Sequence, residues 1–512
     1  MTSEVADLCR DDSRPRRSRT AVFCVALTLI LLLGAYLRFR GLGVRSLWQD
    51  EFSTWHAARL PFFESLNWQP ELNIPPLYQL CLRMISDVGV AGEATLRAPA
   101  AVFGVGAIAA MAWLGLKTGG RRVALAAALI AACHALQIRY SQEVRPYTLW
   151  LMLGTVSMAC WHLLVVRCDV RRGRAPLGIA YVLATALAFH AHYLTGFVLL
   201  AQGLWFEPVF RKQRERTGGQ FNLLVLTAAV MLCVPMAVHF LCAKTQVLQG
   251  LGWVPELTPG TVVRAFARSS FGGFWLTLVL LPSIVLWLMA RLGTAGRFFD
   301  RIGQRIATGA GDPVGLLLVW LVVFWGGLLT ISLAGAPLLV SRYLLPSAVP
   351  ATLVPLLIAG RMGRRWPMIL AVVFCIQTAP QWVMQSAQYE PGFRELVSFL
   401  NEHVDTQQER VVLAVDHKSY PKQEALERIA FDYYPTRGVP IDYVSLDPDG
   451  LPVDPNAFSD PRVTYLILFG SEPGRILSAI DRKAEPILLD GESYPQLRFD
   501  PRRLIRISAK PR

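Results

Sequence analysis

Charge is scarce in this chain. Charged side chains make up 17% of its 512 residues, where a soluble globular protein carries about 25%. The common cause of such a deficit is long apolar segments that face lipid. Cysteine is sparse and scattered: of nine cysteines no two form a CxxC pair, and none lies beyond Cys375. That pattern offers neither a disulfide framework nor zinc spacing and leaves the cysteines as small apolar fillers. No internal repeat and no low-complexity tract is present. The net charge of +14 suggests nucleic acid only until it is located. Residues 392–512 hold 16 Lys/Arg against 19 Asp/Glu. The positive surplus therefore sits in short clusters between apolar runs, a topological pattern with no nucleic-acid partner implied.

What the chain does have is apolar length. Hydrophobic residues reach 53%, and residues 21–37 carry no charge at all. A run near 18 apolar residues is long enough to cross a bilayer. About eleven such segments can be marked, at 21–39, 94–116, 122–138, 147–166, 176–190, 193–209, 221–241, 271–290, 314–334, 342–360 and 366–385. With the N-terminus inside, the inner segments carry 23 basic residues and the outer loops before the tail carry ten, which fixes the orientation. The expected fold is a polytopic α-helical membrane protein. Residues 1–20 form a basic cytoplasmic N-terminus leading into an uncleaved signal anchor. Residues 21–390 form the transmembrane domain, with a first outer loop at 40–93 that reads as two short helices on the membrane surface. Residues 391–512 form a small extracytoplasmic α/β domain. There Phe393–His403 predicts an amphipathic helix, Val411–Val415 and Val463–Phe469 predict strands, and Asp447-Pro-Asp-Gly450 predicts a turn. The localisation implied is the plasma (inner) membrane.

Four polar clusters then fall on the outer face, although the topology was assigned without them. The first loop contains Leu47-Trp-Gln-Asp-Glu51 and, further on, Asn73-Ile-Pro-Pro-Leu-Tyr78. Asp50 and Glu51 read equally as helix-capping carboxylates or as a general base at the membrane boundary. In Arg139-Tyr-Ser-Gln-Glu-Val-Arg-Pro-Tyr147, Arg139 and Arg145 either grip a phosphate or pair with Glu143 to hold two helix ends. His190-Ala-His-Tyr193 offers two histidines that bind a metal only if a turn brings them together, since i,i+2 residues do not share a helix face. At Ser341-Arg-Tyr-Leu-Leu-Pro346, Arg342 and Tyr343 either hold a lipid phosphate or reach to the interface.

Taken together these residues resemble the GT-C membrane glycosyltransferases of the family-39-like group. That group includes protein O-mannosyltransferases, lipid A aminoarabinose transferases and Rgt-type lipopolysaccharide glycosyltransferases. The resemblance is carried by Leu47-Trp-Gln-Asp-Glu51, Pro75-Pro-Leu-Tyr78, Leu96-Arg-Ala-Pro-Ala-Ala-Val-Phe-Gly104, Tyr140-Ser-Gln-Glu-Val-Arg-Pro-Tyr147 and Arg342-Tyr-Leu-Leu-Pro346, over roughly residues 20–385. It implies transfer of a sugar from a polyprenyl-phosphate donor to a glycan, lipid or protein acceptor at the outer face, with inversion. It makes Asp50 the catalytic base, supported by Glu51. Arg139, Glu143, Arg145, Arg342, Tyr343, Tyr78 and His192 become the substrate-binding set. The chain departs from the aminoarabinose branch at Asn73-Ile74, where a Glu-Lys pair would precede the Pro-Pro. A lysine contact to phosphate and an acidic metal ligand are therefore missing there. No cofactor is fixed by the sequence, and a divalent metal stays open. The other class to separate is a transporter or lipid flippase, which would place ionisable residues and broken helices near mid-membrane.

Overall fold

The computed structural model describes residues 14–68, 74–86, 92–166, 174–213, 217–249, 257–264, 313–336, 338–387, 392–416, 423–446, 460, 462–469, 484–486 and 502–507. The apolar segment at 271–290, the turn at 447–450 and Asn73 lie outside them. The helices of the first half are α1 (Arg14–Phe39), α2 (Gln49–Arg59), α3 (Phe62–Leu66), α4 (Leu77–Ser86), α5 (Glu93–Cys133), α6 (Ala135–Tyr140), α7 (Tyr147–Val166), α8 (Arg174–Ala191), α9 (Thr195–Gln213) and α10 (Thr217–Gln249). There follow α11 (Pro313–Leu333), α12 (Ala348–Met362), α13 (Trp366–Ala387) and α14 (Phe393–His403). Seven described helices are long and apolar enough to cross a membrane, and the chain is a multi-pass membrane protein. Their lipid-type surface is visible in α1, where Val22, Val25, Leu29 and Leu32 are all at least 60% exposed.

Two apolar segments predicted at 94–116 and 122–138 are joined in α5. Gly120 interrupts it with φ 82° and ψ −174°, a conformation glycine adopts without steric cost. A β-carbon on Gly115 would lie 3.1 Å from the Ala124 Cα. On a straight helix residues nine apart would be about 13 Å away. The chain therefore doubles back at Gly120, and α5 is a hairpin of two arms. The second arm stops at His134, whose backbone is extended. Its last carbonyls are taken by Arg38, which donates to Ala131 at 2.9 Å and to Ala132 at 3.1 Å. A cation at a helix C-terminus satisfies carbonyls that have no intrahelical partner and complements the helix dipole.

Among its described residues the first loop forms three short helices rather than the two expected. The extra break comes at Leu60-Pro61, where Leu60 is extended, as a residue before proline prefers to be. Pro61 then caps α3.

In the tail, α14 precedes β1 (Arg410–Asp416), α15 (Gln423–Tyr433), β2 (Ile441–Leu446), β3 (Val463–Phe469), β4 (Ala484–Pro486) and β5 (Arg502–Ile507). The sheet order is β2-β1-β3-β5-β4. β1 runs parallel to both neighbours, with Leu413 opposite Tyr443 and Ile467, while β5 is antiparallel to β3 and to β4. Val411 to Ala414 are all fully buried, the continuous apolar run of a parallel strand covered on both faces. Phe393, Leu396, Val397 and Leu400 are the buried stripe of α14, at the i, i+3, i+4, i+7 spacing of an amphipathic helix.

Candidate active site

The adjacent carboxylates Asp50 and Glu51 open α2 and point into different surroundings. Glu51 is fully buried. Arg97 grips it with two bonds, Nε to Oε1 at 2.8 Å and Nη2 to Oε2 at 2.6 Å. Glu51 also accepts the backbone N–H of Val144 at 2.8 Å and that of Trp48 at 3.2 Å, the latter as a capping box. The remaining donors of Arg97 go to the carbonyls of Leu42, Arg45 and Ser46. The pair thus ties α2, α5, the chain after α1 and the Tyr140–Tyr147 segment into one body. Both oxygens of Glu51 are committed.

The Asp50 side chain is 29% exposed and lies 2.7 Å from Nη1 of Arg342 and 3.9 Å from Nη2 of Arg145. Arg145 is fixed by donating to the Asp50 carbonyl at 3.1 Å and the Thr54 hydroxyl at 2.8 Å. Burial opposes the charge of Arg342, but Tyr147, Asp50 and Tyr343 around it outweigh that and hold the guanidinium above its ordinary pKa. Both arginines also lie over tyrosine rings, Arg145 over Tyr147 and Arg342 over Tyr343, at 5.8 Å each.

An aromatic wall stands behind these charges. His192 stacks on Trp150 with centroids 4.1 Å apart, and meets Tyr343 at 5.4 Å and Tyr147 at 6.1 Å. Burial, then the nearby Arg145 and Arg342 charges, lower the His192 imidazole to about 3. It is neutral at physiological pH. Its Nδ1 accepts the N–H of Leu194 at 3.3 Å, and its Nε2 has no partner among the described residues. Tyr78, buried in α4, and Tyr147 also have hydroxyls without a partner among the described residues. Burial, with Glu51 close by, pushes the Tyr78 hydroxyl well above its usual value. Glu143 is 4% exposed. Its Oε1 accepts from Arg139 at 3.3 Å, while Oε2 has no partner among the described residues. Burial raises the Glu143 carboxyl, partly offset by Arg139.

Of the residues predicted from sequence, Asp50, Arg145, Arg342, Tyr343 and His192 are joined by direct contacts, directly or through Tyr147 and Trp150. Arg139 and Glu143 pair with each other, and both feel the charge of Arg342. Glu51 is adjacent in sequence but turned into the core. The two histidines take separate partners, His190 bonding to the Ala186 carbonyl of its own helix at 2.8 Å. Among the described residues no group of three or more His, Cys, Asp or Glu could hold a metal ion. The accessible carboxylate, Asp50, has two guanidiniums within 4 Å. That surrounding does not fit a divalent cation.

Sequence reasoning passed over Arg97, Tyr147, Trp150 and Thr54 as site residues. Arg97 carried a readable signal. An arginine inside an apolar span needs a partner, and Glu51 is a carboxylate at the same end of the bundle.

No family model matches the chain and no curated protein matches it in sequence. Its fold, however, has solved counterparts. ArnT from Cupriavidus metallidurans in the apo state is 12% identical, over 97% of this chain and 100% of that one, with a TM-score of 0.50. The same enzyme bound to undecaprenyl phosphate is 13% identical, over 97% and 99%, with a TM-score of 0.47. The Archaeoglobus fulgidus oligosaccharyltransferase complex with Zn and sulfate is 12% identical, over 87% and 68%, with a TM-score of 0.48. These neighbours are GT-C glycosyltransferases. At 12% identity the likeness to the apo ArnT structure is one of fold, and ArnT is a GT-C protein of the kind the sequence motifs resemble.

Proposed function

We propose that this protein is a glycosyltransferase that moves a sugar from a polyprenyl-phosphate donor to an acceptor hydroxyl at the outer membrane face. The observation that carries this reading is the placement of Asp50, a half-buried carboxylate 2.7 Å from Arg342 and 3.9 Å from Arg145. A carboxylate with two arginines at an apolar wall is what a displacement of lipid phosphate needs. Arg342 and Arg145 hold the phosphate, and preorganised positive charge at a developing anion is the largest single contribution expected. As the phosphate engages Arg342, Asp50 is released from that guanidinium and accepts the proton of the incoming hydroxyl. The C1–O bond to phosphate breaks as the C1–O bond to the acceptor forms. The phosphate leaves on its lipid with the bonding pair, and configuration inverts. Tyr147, Tyr78, Glu143 and His192 offer polar atoms to the sugar, with Trp150 backing the His192 ring. Glu51 holds α2 in place and takes no part in proton transfer.

The alternative of a transporter or flippase finds less support. Among the described residues, Arg38 and Arg97 are the buried arginines of the spans, and both are committed to carbonyls or to Glu51, which leaves neither to line a path. In this reading the N-terminus is cytoplasmic and the tail extracytoplasmic, in the plasma (inner) membrane. The test is the lipid-linked sugar pool of cells lacking the protein. One polyprenyl-phosphate sugar should accumulate and one glycoform disappear, both restored by the wild-type chain and not by Asp50→Asn. An unchanged pool would refute the assignment.

A further inference from the structure

The helix that carries Asp50 is held from the other side by the tail. Phe52, fully buried, is surrounded edge-on by Phe393, Tyr433 and Tyr434 with centroids 5.6, 5.9 and 5.9 Å away. Trp55 meets Tyr433 at 4.9 Å. Polar contacts repeat the grip. The Tyr434 hydroxyl accepts the backbone N–H of Leu47 at 3.0 Å and donates to Oε1 of Glu93 at 2.8 Å. The N–H of Phe393 donates to the Ser46 hydroxyl at 3.1 Å. Arg394 donates to Glu93 at 3.0 Å, to the Gly43 carbonyl at 3.2 Å and to the Val44 carbonyl at 2.5 Å. Gly43, Val44 and Leu47, in the stretch that leads the chain into α2, therefore each have a backbone group bound by a tail side chain. Glu51 and Arg97 fix the same first turn of α2 from the bundle side.

We infer that the tail is a clamp that sets the position of Asp50, with Tyr434 as its positioning residue. This rests on the reading of Asp50 as the general base. Tyr434 touches no reacting atom. It acts by fixing Leu47, three residues before Asp50, against Glu93 at the start of α5. A catalytic group displaced by about 1 Å from its productive place costs on the order of 100-fold in rate, so a modest slackening at Leu47 is read out as turnover. Donor affinity, set chiefly by Arg342, which none of these tail contacts reaches, is left intact.

The test uses the full-length protein and Tyr434→Phe, which keeps the ring around Phe52 and removes both hydrogen bonds. The lipid-linked sugar extracted from cells lacking the protein serves as donor in membranes, and undecaprenyl phosphate serves as the binding probe for purified protein. The expected result is a kcat reduced about 10- to 100-fold, the rate equivalent of the two lost hydrogen bonds, with KM for the donor and undecaprenyl phosphate affinity unchanged. Glu93→Gln, which weakens the same junction without touching the aromatic cage, should shift kcat in the same sense. Wild-type kcat in both variants would overturn the clamp. So would a parallel loss of kcat and binding sites, which marks unfolding rather than positioning. Asp50→Asn separates the two proposals. If it retains transfer, the general-base reading fails. If it abolishes transfer while Tyr434→Phe and Glu93→Gln keep wild-type kcat, only the clamp fails.

Discussion

The Asp50 carboxylate meets the Arg342 guanidinium at 2.7 Å across 292 residues of chain, and a single substitution tests each partner. Asp50→Asn keeps the shape and removes the base. Transfer should fall about 10²- to 10⁴-fold, the usual worth of a positioned general base, while membrane yield and undecaprenyl phosphate binding persist. Conversion of the lipid-linked sugar in isolated membranes is the measurement.

Arg342→Met should weaken undecaprenyl phosphate binding by about 10- to 100-fold, the loss of a charge-assisted hydrogen bond. Arg342→Lys should recover only part of it, because an ammonium supplies a point charge where the guanidinium supplies a fork. Titration of the lipid into purified protein checks both. Equal affinities in wild type and Arg342→Met would remove Arg342 from the phosphate site.

Glu51 and Arg97 predict a different phenotype from Asp50, although Glu51 is its neighbour. Removing one partner of a buried ion pair leaves the other charge stranded, at about 3–5 kcal/mol. Arg97→Met should therefore lower the thermal stability of the detergent-solubilised protein sharply. The double change Glu51→Leu with Arg97→Met should recover much of that loss. A double variant no more stable than the single one would show that the pair is needed for more than its charge.

How far the site was legible in the sequence follows from that contrast. Charge bias and helical punctuation placed Asp50, Arg145, His192 and Arg342 at one end of the bundle, and the structure brings them into contact. The pairing of two acidic neighbours as joint catalytic candidates was not resolvable, because successive helical residues point about 100° apart and the partner deciding Glu51, Arg97, lies 46 residues on. In the tail the helix at Phe393–His403 and the strand at Val463–Phe469 were readable from local periodicity. The sheet order was not, since it depends on pairings between segments far apart. The docking of Tyr434 onto Leu47, 387 residues distant, left no local trace.

His192 predicts a pH effect of defined sign. Its folded pKa, about 3, lies below the ordinary value of 6.5, so between those values the unfolded chain binds a proton the folded one refuses. Stability then rises with pH across that window and is lost as pH falls below about 6.5. Glu143, raised by burial, works with the opposite sign, so the comparison must be between variants. In His192→Gln the acid-side loss of melting temperature between pH 6.5 and 4 should be shallower than in wild type. Identical slopes would show that His192 is protonated in the folded state.

Orientation is open to chemical labelling. A cysteine at Phe63, 75% exposed, should react with a membrane-impermeant maleimide in intact cells. One at Met362, 47% exposed, should react only after permeabilisation. The reverse pattern would place the site on the cytoplasmic side.

The hairpin at Gly120 sets a depth. Its second arm, residues 121–133, is roughly 20 Å long at the α-helical rise, against a hydrocarbon layer of about 30 Å. An arm that starts near one boundary therefore ends short of the other, and the bend at His134 opens within the apolar layer. Irregular backbone survives there only when protein replaces water as its partner. Arg38 meets that demand by donating to Ala131 and Ala132, and the six residues of α6, about 9 Å long, supply what remains of the crossing as far as Tyr140.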